Sequence, residues 1–313
     1  MNLGIIGLPQ AGKKTIFQLL TKQSAETALS RHGIRYGIAP VKDPRIDRLT
    51  EMYRPKKTRY AEFEIALPPD ITPNAARAAE WIEPLRKVDA FLHVVRGFDA
   101  PGVYHIEGNV NPERDLNLVE TEFLLADLQL VETRLERLTK ELAKTDVAGQ
   151  REKAILERCR AYLEEEQPLR NLDLHADDEK VLHNLQLLSL KPVVIVFNVG
   201  ENLAVAESEL TLLRKQLEKR GDTTVFLSAA IEAELTELDE AETQSFMADL
   251  GLSEPAAHRL SRAAFECLGL ISFFTVGEDE VRAWAVRSGA KAPEAAGKIH
   301  SDLERGVIRA ETT

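Results

Sequence analysis

A short glycine-containing stretch near the start of the sequence carries the clearest chemistry. Gly7, Gly12 and Lys13 match the G-x-x-x-x-G-K core of a phosphate-binding loop. In such a loop the backbone N–H groups surround the phosphates, and the lysine reaches the outer phosphates of a nucleotide. An ordinary glycine turn between a strand and a helix is the alternative. We predict a nucleotide site whose phosphates contact Gln10, Ala11, Gly12, Lys13, Lys14 and Thr15.

The residue after the lysine departs from the pattern. A phosphate-binding loop normally has a serine or threonine there, whose hydroxyl binds Mg²⁺. This sequence has Lys14 instead, and its first hydroxyl is that of Thr15. An ammonium group can neutralise phosphate charge, but it cannot provide the oxygen ligands that Mg²⁺ needs. Either Lys14 takes the place of the cation, or it points to solvent and Thr15 becomes the metal ligand. The sequence therefore predicts a nucleotide more firmly than Mg²⁺.

The elements around the loop predict an α/β fold. Residues 3–6 are apolar and predict a strand, and residues 13–22 have helical spacing, which gives the strand, loop and helix that a phosphate-binding loop requires. Polar residues 23–35 predict irregular structure. Further strands are predicted over residues 37–41, 60–66, 88–95, 193–197 and 223–227. Further helices are predicted after the N-cap Asp43 and over residues 74–87, 203–220 and 254–270. This alternation predicts a parallel-type sheet.

The middle of the chain has a different pattern. Apolar residues recur there at alternating intervals of four and three, at Leu124, Leu128, Val131, Leu135, Leu138 and Leu142. Such a seam predicts a coiled-coil helix. Helices over residues 151–166 and 177–188 complete a helical insertion in the α/β domain. This insertion is either a partner-binding arm or a structural cap, because the seam fits both.

Two later strands each end in polar residues. The strand over 193–197 leads into Asn198-Val199-Gly200-Glu201, and the strand over 223–227 leads into Ser228-Ala229-Ala230. The carboxyl ends of parallel strands meet at one edge of a sheet, where ligands bind. We therefore predict that both loops contact the ligand, through Asn198, Val199, Glu201, Ser228, Ala229 and Ala230.

Composition excludes several classes of function. The 313-residue chain is 44% hydrophobic, as expected for a globular protein of two or three domains. No secretory signal or membrane-spanning run is predicted, and the two cysteines form no metal or disulfide pattern, which suits a reducing cytosol. A net charge of −11 disfavours extensive binding to DNA or RNA. We expect a cytoplasmic protein.

Taken together, the motifs resemble those of the YchF family of P-loop NTPases, the Obg-like ATPases. The first loop and Thr15-Ile16-Phe17 are similar to the family sequence GLPNVGKSTLF, and residues 198–201 are similar to its N-x-x-E base-reading motif. Towards the end, Arg282-Ala283-Trp284 and Ile308-Arg309-Ala310-Glu311 resemble its TGS module. The resemblance implies a P-loop G domain, a coiled-coil insertion and a β-grasp TGS domain. It also implies ATP, with GTP as second choice, and association with the ribosome or a ribosomal factor.

The base-reading motif has a physical logic. The aspartate of the usual N-K-x-D motif accepts hydrogen bonds from guanine N1 and N2, and adenine lacks both donors. In N-x-x-E the carboxylate is displaced and the lysine is absent, so the preference for guanine is lost. The resemblance places Asn198 and Val199 beside the base.

Three departures from the family concern hydrolysis. The metal-binding serine is Lys14, and the threonine of the first effector loop falls near Ser30 or Arg31 without a hydroxyl in register. The D-x-x-G motif is absent, because its strand continues as Leu67-Pro68-Pro69-Asp70. Phosphoryl transfer depends on positioning and on Mg²⁺. We expect hydrolysis to be slow or impaired, and a scaffold that binds a partner through its coiled coil is the alternative.

The resemblance also divides the chain. We predict a G domain in two parts, residues 1–110 and 191–270, a coiled-coil insertion over 111–190 and a TGS-like end over 271–313. Strands over 271–276 and 280–286 form a hairpin, followed by a helix over 293–303. The family module has further strands beyond this point. Either the sequence is truncated, or its hairpin and last helix pack onto the G domain.

Overall fold

The strands form two sheets. The computed structural model describes residues 2–31, 33–73, 78–141 and 146–306, and within these residues one sheet has seven strands and the other has three. In chain order the strands are β1 (Asn2–Ile6), β2 (Leu29–Arg31), β3 (Ile34–Val41), β4 (Lys57–Arg59), β5 (Ala61–Leu67), β6 (Ala90–Gly97), β7 (Val193–Val199), β8 (Thr223–Leu227), β9 (Leu270–Thr275) and β10 (Glu280–Arg287).

The large sheet has the order β2-β3-β5-β1-β6-β7-β8. Its five strands from β5 to β8 are parallel, as predicted, whereas β3 runs antiparallel to both β2 and β5. Strands β1, β6 and β7 are buried along nearly their whole length, which explains their continuous apolar sequences. The prediction of irregular structure over 23–35 was wrong at β2, because a three-residue strand is too short to show alternation.

Most helices pack on the large sheet or lie in the insertion, while α12 packs on β10 of the small sheet. They are α1 (Lys13–Thr21), α2 (Pro44–Tyr53), α3 (Ala78–Arg86), α4 (Pro112–Glu141), α5 (Val147–Glu164), α6 (Ala176–Leu182), α7 (Leu203–Glu209), α8 (Thr211–Lys219), α9 (Ala229–Leu235), α10 (Glu240–Asp249), α11 (Ala256–Cys267), α12 (Ala292–Ile299) and α13 (Ser301–Gly306). Among the described residues, no helix is both long and apolar enough to cross a lipid bilayer.

Several helix predictions are confirmed and others need correction. The Asp43 side chain caps α2 by accepting a hydrogen bond from the Arg45 N–H at 2.9 Å. The single helix predicted over 203–220 is two helices that meet at Leu210, and α9 and α10 were not predicted. The predicted helix 177–188 ends as a short 3₁₀ turn, His183–Leu185. The start of the helix predicted over 74–87 lies outside the described residues.

The insertion has its own apolar core. The seam residues Leu124, Val131, Leu135 and Leu138 of α4 are buried against apolar residues of α5, while Leu142 falls outside the described residues. An ionic ring joins this insertion to the G domain. In the ring, Arg170 and Arg220 each form ion pairs with both Glu120 and Asp222. Glu120 lies on α4 and Arg170 in a 3₁₀ turn, whereas Arg220 and Asp222 lie between α8 and β8.

The C-terminal hairpin is attached to the rest of the fold. Strands β9 and β10 are antiparallel, as predicted. Strand β10 also pairs in parallel with β4, which the sequence analysis missed. Val281 and Ala283 of β10 belong to the same apolar core as the strands of the large sheet. The hairpin therefore packs onto the G domain. The TGS assignment and the four-part division stay predictions, and residues 308–311 lie outside the described residues.

His93 of β6 generates a testable prediction about stability. Burial lowers the pKa of His93 to about 3, and the positive charges of Lys13 and Arg170 act in the same direction. In the unfolded chain this histidine binds a proton near its ordinary pKa of 6.5, whereas in the folded chain it stays neutral. The free energy of unfolding is therefore not reduced by His93 above pH 6.5, and it falls as the pH drops from 6.5 towards 3. The expected slope is about 1.4 kcal/mol per pH unit. Urea denaturation between pH 7 and 5 measures it.

The variant His93→Leu should lack this part of the pH dependence. The exposed His183, replaced by Gln, is the matched control and should keep the slope of the wild type. Equal slopes in the wild type and His93→Leu would contradict the assignment.

Candidate functional site

The loop between β1 and α1 has the backbone of a phosphate-binding loop. Gly7 has a φ of +144° and Gly12 a φ of +96°, values that side chains rarely adopt. A Cβ atom at Gly7 would lie 2.3 Å from the Val94 carbonyl oxygen, and one at Gly12 would lie 2.2 Å from Asn198 Nδ2. Both positions therefore require glycine. The two glycines of the motif thus lie where the loop passes close to β6 and to Asn198.

Lys13 is folded back over this loop. Its side chain is buried, and its Nζ donates hydrogen bonds to the carbonyl oxygens of Gly7, at 2.9 Å, and of Leu8. Nζ also forms an ion pair with Asp70 Oδ1 at 2.8 Å. Burial lowers the pKa of Lys13, and the Asp70 carboxylate opposes that shift. The loop carbonyls thus fix the position of a cationic group at the start of α1.

The residue directly after Lys13 cannot be a Mg²⁺ ligand. The Lys14 side chain is exposed, and an ammonium group has no lone pair to give a metal. Thr15 is half-buried and lines the cleft described below. The candidate site therefore offers a phosphate cradle without the usual metal-binding hydroxyl.

Asn198 connects the phosphate loop to the loops that were predicted to contact the base. Its Nδ2 donates to the Ala11 carbonyl oxygen at 3.0 Å, and its Oδ1 accepts from the Ala229 N–H at 2.9 Å. Both bonds are buried. Ser228 begins α9, where its hydroxyl oxygen accepts the Ile231 N–H at 3.5 Å. The ends of β7 and β8 are thereby held beside the first loop.

These loops enclose an open cleft of about 700 Å³. The predicted residues that line it are Gly12, Thr15, Asn198, Val199, Glu201, Ser228, Ala229 and Ala230. The other predicted residues lie in the phosphate loop outside this lining: Gln10 and Lys14 are exposed, and Ala11 and Lys13 are buried. The structure thus brings together both loop sets that the sequence predicted.

Sequence reasoning missed one wall of the cleft. Phe98, Asp99 and Ala100 follow β6 and line the same cleft as the predicted loops. The Arg96 guanidinium lies 4.7 Å from the centre of the Phe98 ring and donates to the Phe98 carbonyl oxygen at 3.1 Å. The available signal was topological: β6 is the neighbour of β7, so their carboxyl ends meet at one edge. Asp70, the partner of Lys13, was also missed.

The two ends of the site differ in charge. At the phosphate loop, Lys13, Lys14 and the N-terminus of α1 supply positive charge and N–H donors. At the far end, Asp99 and Glu201 line the cleft with carboxylates, beside the apolar Phe98 and Val199. An anionic group is favoured at the first end. A flat group with amine donors is favoured at the second.

Comparisons with known proteins identify relatives of this chain. The family model YchF-GTPase_C, described as "Protein of unknown function (DUF933)", matches residues 270–313. A relative from Escherichia coli O157:H7, "Ribosome-binding ATPase YchF", is 38% identical over 316 aligned positions, which cover 99% of this chain and 87% of the relative. A relative of the same name from Bacillus subtilis (strain 168) is 36% identical and covers 100% and 88%.

A solved structure extends the likeness to the fold. The Schizosaccharomyces pombe YchF GTPase superposes with a TM-score of 0.84 at 31% sequence identity. The match covers 97% of this chain and 85% of that chain. The fold class predicted from sequence is therefore confirmed: a G domain with a helical insertion and a C-terminal segment.

The Asn198 bridge makes a prediction about stability. Replacing Asn198 by Ala leaves the Ala11 carbonyl and the Ala229 N–H buried without their partner. We expect a loss of about 1–3 kcal/mol in the free energy of unfolding, measured by urea denaturation. Asn184 is exposed, and its replacement by Ala should change stability by less than about 0.5 kcal/mol. A loss in Asn198→Ala no larger than in this control would show that the bridge is dispensable.

Proposed function

This chain belongs to the YchF family, and from that premise we propose that it binds a purine nucleoside triphosphate, ATP or GTP, and acts in association with the ribosome in the cytoplasm. The observation that carries the proposal is the Asn198 bridge, which holds a cation-bearing phosphate loop and a base-sized cleft in one site. The curated relatives are named ribosome-binding ATPases, and the solved relative is named a GTPase. Those names support the ligand class and the partner.

We propose the following placement of the nucleotide. The outer phosphates lie on the N–H groups of residues 10–15 and on Lys13. The base lies between Phe98 and Val199, where Asp99 and Glu201 offer acceptors for an exocyclic amine. Adenine and guanine both carry an exocyclic amine, so these acceptors fit either base, and ATP is put first because the curated relatives are named ATPases.

Hydrolysis is proposed to be slow. Lys14 replaces the hydroxyl that would bind Mg²⁺, and β5 ends in Leu67-Pro68-Pro69 rather than in D-x-x-G. The side chains near Ser30 and Arg31 are outside the described part of the structure. Phosphoryl transfer depends on Mg²⁺ and on a positioned water. The loss of the metal-binding hydroxyl and of D-x-x-G should therefore lower the rate of hydrolysis more than it lowers the affinity for the nucleotide.

Isothermal titration of ATP and GTP tests the binding proposal. We expect Lys13→Met to weaken ATP binding by about 10- to 100-fold, because a charge-assisted hydrogen bond contributes roughly 1.5–3 kcal/mol. Lys87 is an exposed lysine at the end of α3, and Lys87→Met is the control that should bind as the wild type does. If the wild type binds neither nucleotide, the proposal fails. The scaffold function, with a partner on the α4–α5 pair, would then be the better account.

Lys14→Ser tests the magnesium assignment. The wild type should bind ATP with similar affinity in Mg²⁺ and in EDTA, because Lys14 cannot ligate the ion. Restoring the hydroxyl should make the affinity depend on Mg²⁺ and should raise phosphate release. A wild type that loses ATP in EDTA would show that another group, such as Thr15, already holds the metal.

Co-sedimentation with ribosomes tests the proposed partner. The wild type should pellet with ribosomes, and the bound fraction should change when ATP is added. A chain that stays in the supernatant under every nucleotide condition would contradict the ribosome proposal and leave nucleotide binding intact.

A further inference from the structure

Asp70 is paired with Lys13, the cationic side chain that would bind the phosphates of a nucleotide. We propose that Asp70 is an internal competitor: its carboxylate holds Lys13 when the site is empty, and the outer phosphates of a nucleotide must displace it. This inference rests on the proposed function, because it concerns the same loop. It adds a residue that controls affinity for polyphosphates and that responds to their binding.

The donors of Lys13 explain why the two anions compete. An ammonium group has three N–H donors. Two of them bind the carbonyl oxygens of Gly7 and Leu8, which fix the side chain over the loop. The remaining direction is taken by Asp70 Oδ1 at 2.8 Å. A phosphate oxygen can bind Lys13 in the same orientation only when this carboxylate has moved away.

The backbone holds Asp70 in this position. The segment after β5 passes the phosphate loop, and the Ile71 N–H donates to the Gly7 carbonyl oxygen at 3.4 Å. The Ile71 side chain is fully buried, so it anchors the segment in the core. Gly7 therefore receives both the Lys13 side chain and the backbone next to Asp70. The ion pair therefore joins two segments that are each fixed by other contacts, the phosphate loop and the segment after β5.

Burial decides which partner can move. The Lys13 side chain is 4% exposed, whereas that of Asp70 is 53% exposed. Asp70 can thus turn into water without exposing apolar surface, while Lys13 stays on its loop carbonyls. An ion pair with one partner in solvent is weak and is readily exchanged for a stronger anion. A triphosphate carries more charge than a carboxylate and also gains the N–H groups of the loop.

The competition has a specific signature. Lys13 reaches the outer phosphates, so ATP and ADP must displace Asp70 and AMP need not. Phosphate binding also releases Asp70 from the loop. In this way occupancy of the site is transmitted to the segment after β5, where the D-x-x-G motif of the family is absent.

Titration of ATP, ADP and AMP into Asp70→Asn tests the inference. Asn keeps the shape of Asp but cannot pair with Lys13 as a charge. We expect Kd for ATP to fall about three- to fivefold, Kd for ADP to fall as well and Kd for AMP to stay at the wild-type value, because an ion pair with a half-exposed partner is weak. Asp70→Glu, which keeps the charge, should not tighten ATP binding. Glu62→Gln removes one exposed carboxylate from β5 and is the matched control, with no expected change.

The outcomes separate this inference from the proposed function. If the wild type binds ATP and Asp70→Asn binds it no more tightly, the inference is overturned and the nucleotide site stands. If Asp70→Asn binds ATP more weakly in Mg²⁺, Asp70 is a metal ligand and the inference is likewise overturned. If no variant binds any of the three nucleotides, both proposals fall.

Discussion

The side-chain amide of Asn198 is the contact on which the site depends. It bonds to the phosphate loop on one side and to the start of α9 on the other, so three separate parts of the chain share one buried side chain. The approach is so close that no side chain fits at Gly12. A buried amide that loses its hydrogen-bond partners destabilises a fold. Because the Asn198 amide needs both loops as partners, it fixes the two loops relative to each other. The first loop and the cleft beside it are thus held in one fixed arrangement.

What could be predicted from sequence was local. Strands β1, β6 and β7 are apolar runs, and the first loop has a fixed spacing of glycines, so both were found from residues alone. The pairing of β4 with β10 was not found, because three residues carry no signal for a partner more than two hundred positions away. The break at Leu210 was missed because the sequence has no glycine or proline between α7 and α8.

The site shows the same division between local and long-range information. Asn198 and Val199 were predicted because they end a strand. Phe98 was missed because its role comes from the order of strands in the sheet, and Asp70 because its partner, Lys13, lies at the start of α1, far away in the sequence. Where sequence and family pattern disagree, at Lys14 and after β5, the structure has an exposed lysine and an ion pair. The glycine loop has the expected backbone, whereas the residue after Lys13 and the segment after β5 differ from the family pattern.

A structure of the chain with a non-hydrolysable ATP analogue tests this account most directly. The decisive quantity is the distance from Lys13 Nζ to the nearest oxygen of an outer phosphate. We expect a hydrogen-bond distance of about 2.7–2.9 Å, with the base beside Val199 and Phe98. An analogue bound elsewhere, or a site in which Lys13 still contacts Asp70 and no phosphate, would contradict it.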